Sequence, residues 1–370
     1  MASFKIGLSA TLSGRHAVQG GESLRGIRLF TDDLRECGGI KTRGRRSFVP
    51  ELVFYDDASV AERTRENTLR LIEKDKVDIL LGPYSSSLTL ACVETAEKAQ
   101  RVVWNYGGSL DDIPVRGKTV SAITEASSYF RAIVDMIHEH CAEAKEIAVL
   151  RLAGSSFSRT VSEGAMLRAG ELGMAAAVYD FPSGTKDFSP ILARAENRGA
   201  SCVLCCGGME DDINLARWIS ENSADTFKLV AMLAAAVNEF EKRLGREADG
   251  FVSTSQWEPT LSLSVDFGPS PAEFSDRFSR AYGYTPDYTA AQSYNMGLII
   301  GKLIEKTGGA NERALLREVL RCGFTTFYGD FRVDSQTLRQ TGHRMLVTQW
   351  QSGEKKIVFP QEYSNSKLIA

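Results

Sequence analysis

No apolar run in the 370 residues approaches the ~20 that a membrane-spanning helix needs. A charged-then-apolar leader is missing as well: Met1-Ala2-Ser3 runs straight into an expected strand at Phe4–Leu8, which fits a cytosolic start and an exported domain without its leader equally. There is no excess of cations. The net charge of −3 argues against a surface built for nucleic acid or anionic membrane. The one basic run, Lys41, Arg43, Arg45 and Arg46, reads as a solvated loop. Histidine is scarce, with four in all: His16, His138, His140 and His343. A spacing of two turns His138 and His140 away from each other on a helix, so no metal pair or general base is visible.

The phosphate and nucleophile motifs are also absent. No G-x-G-x-x-G follows an expected strand, and no G-x-x-x-x-G-K-[ST] occurs. Ser85–Ser87 follow Gly82-Pro83-Tyr84 without the second glycine of a nucleophile elbow. An enzyme is therefore not expected, nor a cofactor, nor a catalytic residue. Seven cysteines are an odd count, so at least one thiol is free or pairs between chains. Cys92, Cys202, Cys205 and Cys206 lie in apolar segments and read as small buried residues. Cys202-Val-Leu-Cys205-Cys206 has the spacing of a redox or zinc pair, but it sits in a strand rather than at a helix start and no second pair follows.

What is present is a length that favours two domains, with 43% hydrophobic and 25% charged residues, ordinary for a globular chain. The most informative stretch is Val77–Leu110. An apolar run (Val77–Leu81) stops at Gly82-Pro83, three serines follow, and a helical segment runs to about Ala99. A second apolar run (Val102–Trp104) then ends in Asn105-Tyr106-Gly107-Gly108-Ser109. In a parallel sheet both polar loops fall at the carboxyl ends of their strands, where such sheets bind ligands.

The same alternation spans residues 4–104, with a helix from Glu22 to about Cys37 and another over Glu62–Lys74 carrying Leu69, Leu71 and Ile72. It predicts a doubly wound parallel sheet. A second series begins at Ile147–Leu150 and continues through Ala176–Phe181, Cys202–Cys206, Lys228–Met232 and Gly250–Thr254. From Pro271 the pattern is helical, and Phe331–Val333, Met345–Trp350 and Lys356–Phe359 form a β-like tail that reads as a hairpin closing the second domain. The fold class is α/β, with two doubly wound parallel-sheet lobes. A ligand touching both lobes would favour a closed form by the difference in its affinity for the two states.

Within the central stretch, Ser86, Ser109 and the backbone near Gly107 and Gly108 can donate several hydrogen bonds to a carboxylate without a basic side chain. Tyr84, Trp104, Tyr106 and Trp257 can wall a mostly apolar pocket. Each has a plainer reading beside it. Trp104 suits the core of its strand, Tyr84 can pack on a neighbouring helix, and Ser86 can cap the helix it opens.

These residues, with Ile6–Gly14 (IGLSATLSG), Gly26-Ile27-Arg28-Leu29, Glu51–Asp57 (ELVFYDD), Lys186–Leu192 (KDFSPIL) and Tyr328-Gly329 to Trp350, make the chain resemble the type I periplasmic solute-binding proteins of the branched-chain amino acid ABC transporters. The resemblance implies two lobes joined by a three-stranded hinge: 1–121 with 256–329, and 122–255 with 330–370. The crossings would lie near Thr119–Ala122, Val252–Gln256 and Asp330–Val333. It implies a periplasmic or lipid-anchored protein that hands a small organic ligand to a membrane permease. It places the ligand carboxylate on Ser86 (or Ser85) and Ser109 with Gly107 backbone, a first-loop contact near Gln19, and second-lobe contacts at Phe157 and Met209. Relatives of this kind hold a ligand ammonium on an acid after the strand matching Lys228–Met232, but here that loop reads Leu233-Ala234-Ala235-Ala236. Either Glu210 or Asp211 substitutes, or the ligand is a carboxylate, amide or aromatic acid without an ammonium. A disulfide found in some members would join the positions of Ser59 and Ser85, both serine here. A ligand-sensing regulator of the same fold is the alternative, and the unpaired cysteines favour it slightly.

Overall fold

The computed structural model describes residues 2–42, 44, 46–113, 118–141, 146–222 and 226–369. Arg43 and Arg45 of the basic run lie outside them, as does Pro114. The chain divides into two compact units, Met1–Thr124 with Ser262–Arg344 and Glu125–Leu261 with Met345–Ala370. It passes between them three times, at 124/125, 261/262 and 344/345.

The first unit starts with β1 (Ala2–Ala10), α1 (Ala17–Glu36), β2 (Ile40–Lys41), β3 (Ser47–Asp56), α2 (Ala61–Glu73), β4 (Ile79–Leu81), α3 (Ser86–Lys98), β5 (Val102–Asn105) and β6 (Lys118–Ser121). Its strands lie in the order β2-β3-β1-β4-β5-β6, all parallel except β2–β3. Strands covered on both faces need apolar residues at every position, and all three residues of β4 are fully buried. α1 starts earlier than expected, at Ala17, so Gln19 belongs to its first turn. Gly20 makes this start possible, because a Cβ there would stand 1.9 Å from the Thr11 carbonyl. α2 departs from its apolar pattern. Leu69 faces solvent, and the buried stripe is Thr64, Thr68 and Leu71, whose threonine hydroxyls donate to the carbonyls of Val60 and Thr64.

The second unit follows with α4 (Tyr129–His140), β7 (Glu146–Leu152), α5 (Ser156–Glu171), β8 (Ala175–Phe181), α6 (Ser189–Asn197), β9 (Ala200–Cys206), α7 (Met209–Asn222), β10 (Leu229–Met232), α8 (Asn238–Leu244) and β11 (Val252–Ser255). The chain returns to the first unit for α9 (Pro271–Tyr282), α10 (Tyr288–Thr307), α11 (Glu312–Val319) and the pair β12 (Gly323–Thr326) and β13 (Gly329–Arg332). It ends in the second unit with β14 (Leu346–Gln351) and β15 (Glu354–Phe359), giving the sheet order β15-β14-β11-β10-β9-β7-β8. β14 and β15 run antiparallel, and the other pairings among β7 to β11 are parallel.

The tail is therefore split. The hairpin is β14–β15 alone, whereas Phe331 pairs with Phe324 and Val333 bridges Gln340 inside the first unit. This antiparallel pairing keeps 330–344 in the first unit, whereas the family resemblance places 330–370 in the second. All seven cysteines are free, with Cys92, Cys202, Cys205 and Cys206 fully buried. No helix among the described residues is long and apolar enough to cross a membrane.

The α1–α10 contact depends on a glycine from each helix, with a Cβ at Gly297 of α10 falling 2.4 Å from the Phe30 ring of α1. A Cβ at Gly26 would lie 2.1 Å from the Ala290 carbonyl and 2.3 Å from the Ser293 hydroxyl. Gly26→Ala is expected to cost about 1–3 kcal/mol, the usual range for overpacking, read as a lowered denaturation midpoint. An unchanged midpoint would show that the two helices separate freely.

Candidate ligand-binding site

Because β1, β3, β4 and β5 are parallel, the loops that follow them share one edge of the first sheet. α3 opens at that edge without a side-chain cap, leaving the amides of its first turn without intrahelical partners. Its N-cap, Ser85, has φ 84° and ψ 145°, a conformation that strains an L-residue and is tolerated where the surroundings enforce it. The Ser86 hydroxyl accepts from the Ser109 amide at 3.1 Å. This bond uses a lone pair and leaves the O–H of Ser86 to donate. The Ser109 hydroxyl makes no hydrogen bond among the described residues. Both serines are less than a tenth exposed.

The loop after β5 is built around Asn105. Its Oδ1 accepts from the amides of Gly108 at 2.9 Å and Gly107 at 3.2 Å. Its Nδ2 donates to the Gly108 carbonyl at 2.7 Å and the Ser121 hydroxyl at 2.8 Å. The Gly107 and Gly108 amides, expected to face a ligand, both donate to Asn105 here. The glycines are there for close approach: a Cβ at Gly107 would stand 2.3 Å from the Pro83 carbonyl, and one at Gly108 would stand 2.5 Å from Thr89.

Tyr84 is half-buried with His16 edge-on at 6.2 Å between ring centres, and Gln19, also half-buried, lies three residues beyond His16. Burial, with Arg15 adding to it, holds His16 down at about 4, so the ring is neutral at pH 7. Asp57, fully buried, ties the loop after β3 to the end of β1: it accepts from Ser9 Oγ, Thr11 Oγ1 and the Ser59 amide. Burial raises its pKa against the pull of those bonds. Ser59, one of the two serines at the disulfide positions, donates to the Ser13 carbonyl and accepts from the His16 amide. Tyr106 and Trp104 are fully buried, so both sit in the interior rather than on an open wall. Sequence reasoning passed over Asn105 and His16. A carboxamide at the end of a strand, followed by two glycines, is the signal that would have found the first.

In the second unit the loops after β7, β9, β10 and β11 likewise share one edge. Phe157, half-buried in the first turn of α5, meets Tyr129 edge-on at 5.7 Å, and Gln256 Nε2 donates to the Tyr129 hydroxyl at 2.9 Å. Trp257 follows immediately and is fully buried. Met209, half-buried, is the first residue of α7. The expected acids are already engaged. Glu210 is exposed and holds Arg243 through both oxygens, one at 2.9 Å. Asp211 accepts from the amides of Gly184 at 2.7 Å and Gly208 at 3.3 Å. Asp212 accepts from Gly207 and Ala234, and burial pushes its carboxyl up to about 7.

A family model described as periplasmic binding protein matches residues 3–355. The chain is similar to Leu/Ile/Val-binding protein homolog 7 of Brucella suis, at 24% identity over 99% of this chain and 94% of that protein. Among solved structures it is similar to the branched-chain amino acid transporter substrate-binding protein LivJ from Streptococcus pneumoniae, in complex with isoleucine. The TM-score is 0.81 at 18% identity, covering 97% of this chain and 100% of that one. An ABC transporter solute-binding protein from R. palustris, in complex with benzoate, gives a TM-score of 0.78 at 19% identity, with 96% of each chain covered.

Two measurements check this geometry. Asn105→Ala strands buried amides and is expected to cost about 2–4 kcal/mol, read by denaturant unfolding; a cost near zero would mean that the loop holds itself. His16 sets a pH dependence. The unfolded chain takes up the proton near 6.5 and the folded chain only near 4, so the parent loses stability as pH falls through that window. His16→Gln is expected to gain on the parent between pH 7.5 and pH 5, and equal pH slopes for the two proteins would contradict the burial.

Proposed function

This chain belongs to the periplasmic binding protein family, and we propose that it is an extracytoplasmic solute-binding protein that captures a small carboxylate-bearing molecule and delivers it to an ABC importer. The observation that carries the reading is the Ser86–Ser109 link. It holds two loops of the first unit together while leaving two hydroxyl protons and the uncapped start of α3 to meet an anion. Neutral donors suit a transport protein, because they bind a carboxylate without the tight grip of a buried ion pair. Phe157 and Met209 of the second unit are the proposed contacts for the rest of the ligand, and Gln19 and Tyr84 flank its carboxylate. The three chain passages serve as the hinge, and ligand drives closure by binding the closed form more tightly.

A second reading, a ligand-sensing regulator of the same fold, is favoured by one observation: seven thiols, none of them paired, where oxidising compartments tend to pair them. Reconstituted uptake separates the two. Transport by a cognate permease that requires this protein supports delivery, and full transport without it supports the sensor.

The site is tested by a thermal-shift screen of amino acids, aromatic acids and amides, since a ligand that binds only the folded state raises its melting temperature. Ser86→Ala with Ser109→Ala removes two hydrogen bonds to a charged group, each worth about 1.5–3 kcal/mol. Binding is expected to weaken about 100-fold or more, with the circular dichroism spectrum unchanged. A folded double variant that binds as tightly as the parent would remove these serines from the site.

A further inference from the structure

A strand at the edge of a sheet presents unpaired amides and carbonyls to any chain that can pair with them. Of the four edges of the two large sheets, three are short or covered. β2 is two residues long, and the Ser121 amide of β6 donates to the Leu338 carbonyl. Ile357 of β15 donates to Asn365 Oδ1 and accepts from the Asn365 and Ser366 amides. The fourth edge, β8, is seven residues long, and its sequence AAAVYDF holds no proline or lysine. Its register with β7 is unbroken from Ala175 to Phe181, and the Phe181 carbonyl accepts from the Ala153 amide just past β7. Alternate residues of a strand turn their N–H and C=O groups to opposite sides, so Ala176, Val178 and Asp180 turn theirs away from β7. Those groups make no hydrogen bond among the described residues.

Beside this edge lies a cavity of about 340 Å³ lined by Ala177, Val178, Tyr179, Arg194, Asn197 and Arg198. Arg198, just past α6, pairs with Glu146, the first residue of β7. The cavity therefore lies toward the amino ends of the strands, away from the loops that follow them. Arg194 stands 5.5 Å from the centre of the Tyr179 ring and has no ion pair among the described residues. We propose that β8 docks an extended acidic segment of a partner protein, which joins the second sheet as a further strand and sets a carboxylate on Arg194. Main-chain bonds to Ala176, Val178 and Asp180 hold the segment, and the arginine selects its charge. A second copy of the chain fits this edge less well. Two β8 strands paired antiparallel bring both α6 helices to one face of the joined sheet, so that Arg194 and Arg198 of each copy meet like charges. The edge is separate from Ser86 and Ser109 and stands whether or not they hold a ligand.

Amide NMR of the intact protein tests this with three peptides: acetyl-TVEVEVT-amide, its lysine counterpart acetyl-TVKVKVT-amide, and the acidic peptide methylated on every backbone nitrogen. The expected result is that the acidic peptide moves the signals of Ala176, Val178 and Asp180 to saturation. The lysine peptide is expected to bind about tenfold more weakly or worse, and the methylated peptide not at all. Arg194→Glu is expected to weaken the acidic peptide about tenfold or more, the loss of a charge-assisted bond, with the circular dichroism spectrum unchanged. Signals at all three amides that stay still under millimolar acidic peptide overturn the proposal. So does a methylated peptide that binds as tightly as its parent, or a folded Arg194→Glu variant with undiminished affinity. A dimer in sedimentation equilibrium that shields these same amides from exchange overturns it too, because a second copy then holds the edge.

Discussion

The buried carboxamide of Asn105 is the constraint on which the first half-site depends. It closes the loop after β5 from inside, accepting from two amides and donating to a carbonyl and a hydroxyl. With Gly107 and Gly108 fixed against Pro83 and Thr89, the Ser109 amide is delivered to the Ser86 hydroxyl. The donors left open at this loop edge are therefore hydroxyls and the first turn of α3. Their number is set by what Asn105 has already taken.

The acids follow the same economy. Asp56 and Asp57 close loops in the first unit, and Asp211 and Asp212 close them in the second, each by accepting backbone amides that would otherwise be orphaned at a sheet edge. Carboxylates used in this way position the loops without presenting charge to a solute. The loop edge of the first unit offers neutral donors, and that of the second unit offers the apolar side chains of Phe157 and Met209. A family fold that accepts varied ligands can be specialised by such choices in loops while the sheets stay the same.

The architecture was legible in the sequence because parallel strands covered on both faces read as apolar runs, as Ile79–Leu81 and Cys202–Cys206 do. Short antiparallel pieces were not: β12 and β13 are four residues each, and their pairing drew the last unit boundary away from its expected place. The buried face of α2 was hidden because Thr64 and Thr68 satisfy their hydroxyls within the helix. Ser86 and Ser109 stood out as hydroxyls at strand ends, but Asn105 did not, since its partners lie in the loop it organises. Glu210 read as a candidate ligand partner because Arg243, thirty-three positions away, pairs with it only in the fold.

The most direct test is amide NMR of the deuterated protein titrated with its tightest-binding carboxylate. The expected result is that the amide signals of Ser86, Ser87 and Leu88 move strongly to saturation while those of Gly107 and Gly108, held by Asn105, move little. Large shifts at Gly107 and Gly108 with the α3 amides unmoved would contradict the account, because the ligand would then be displacing Asn105 and not using the donors it leaves.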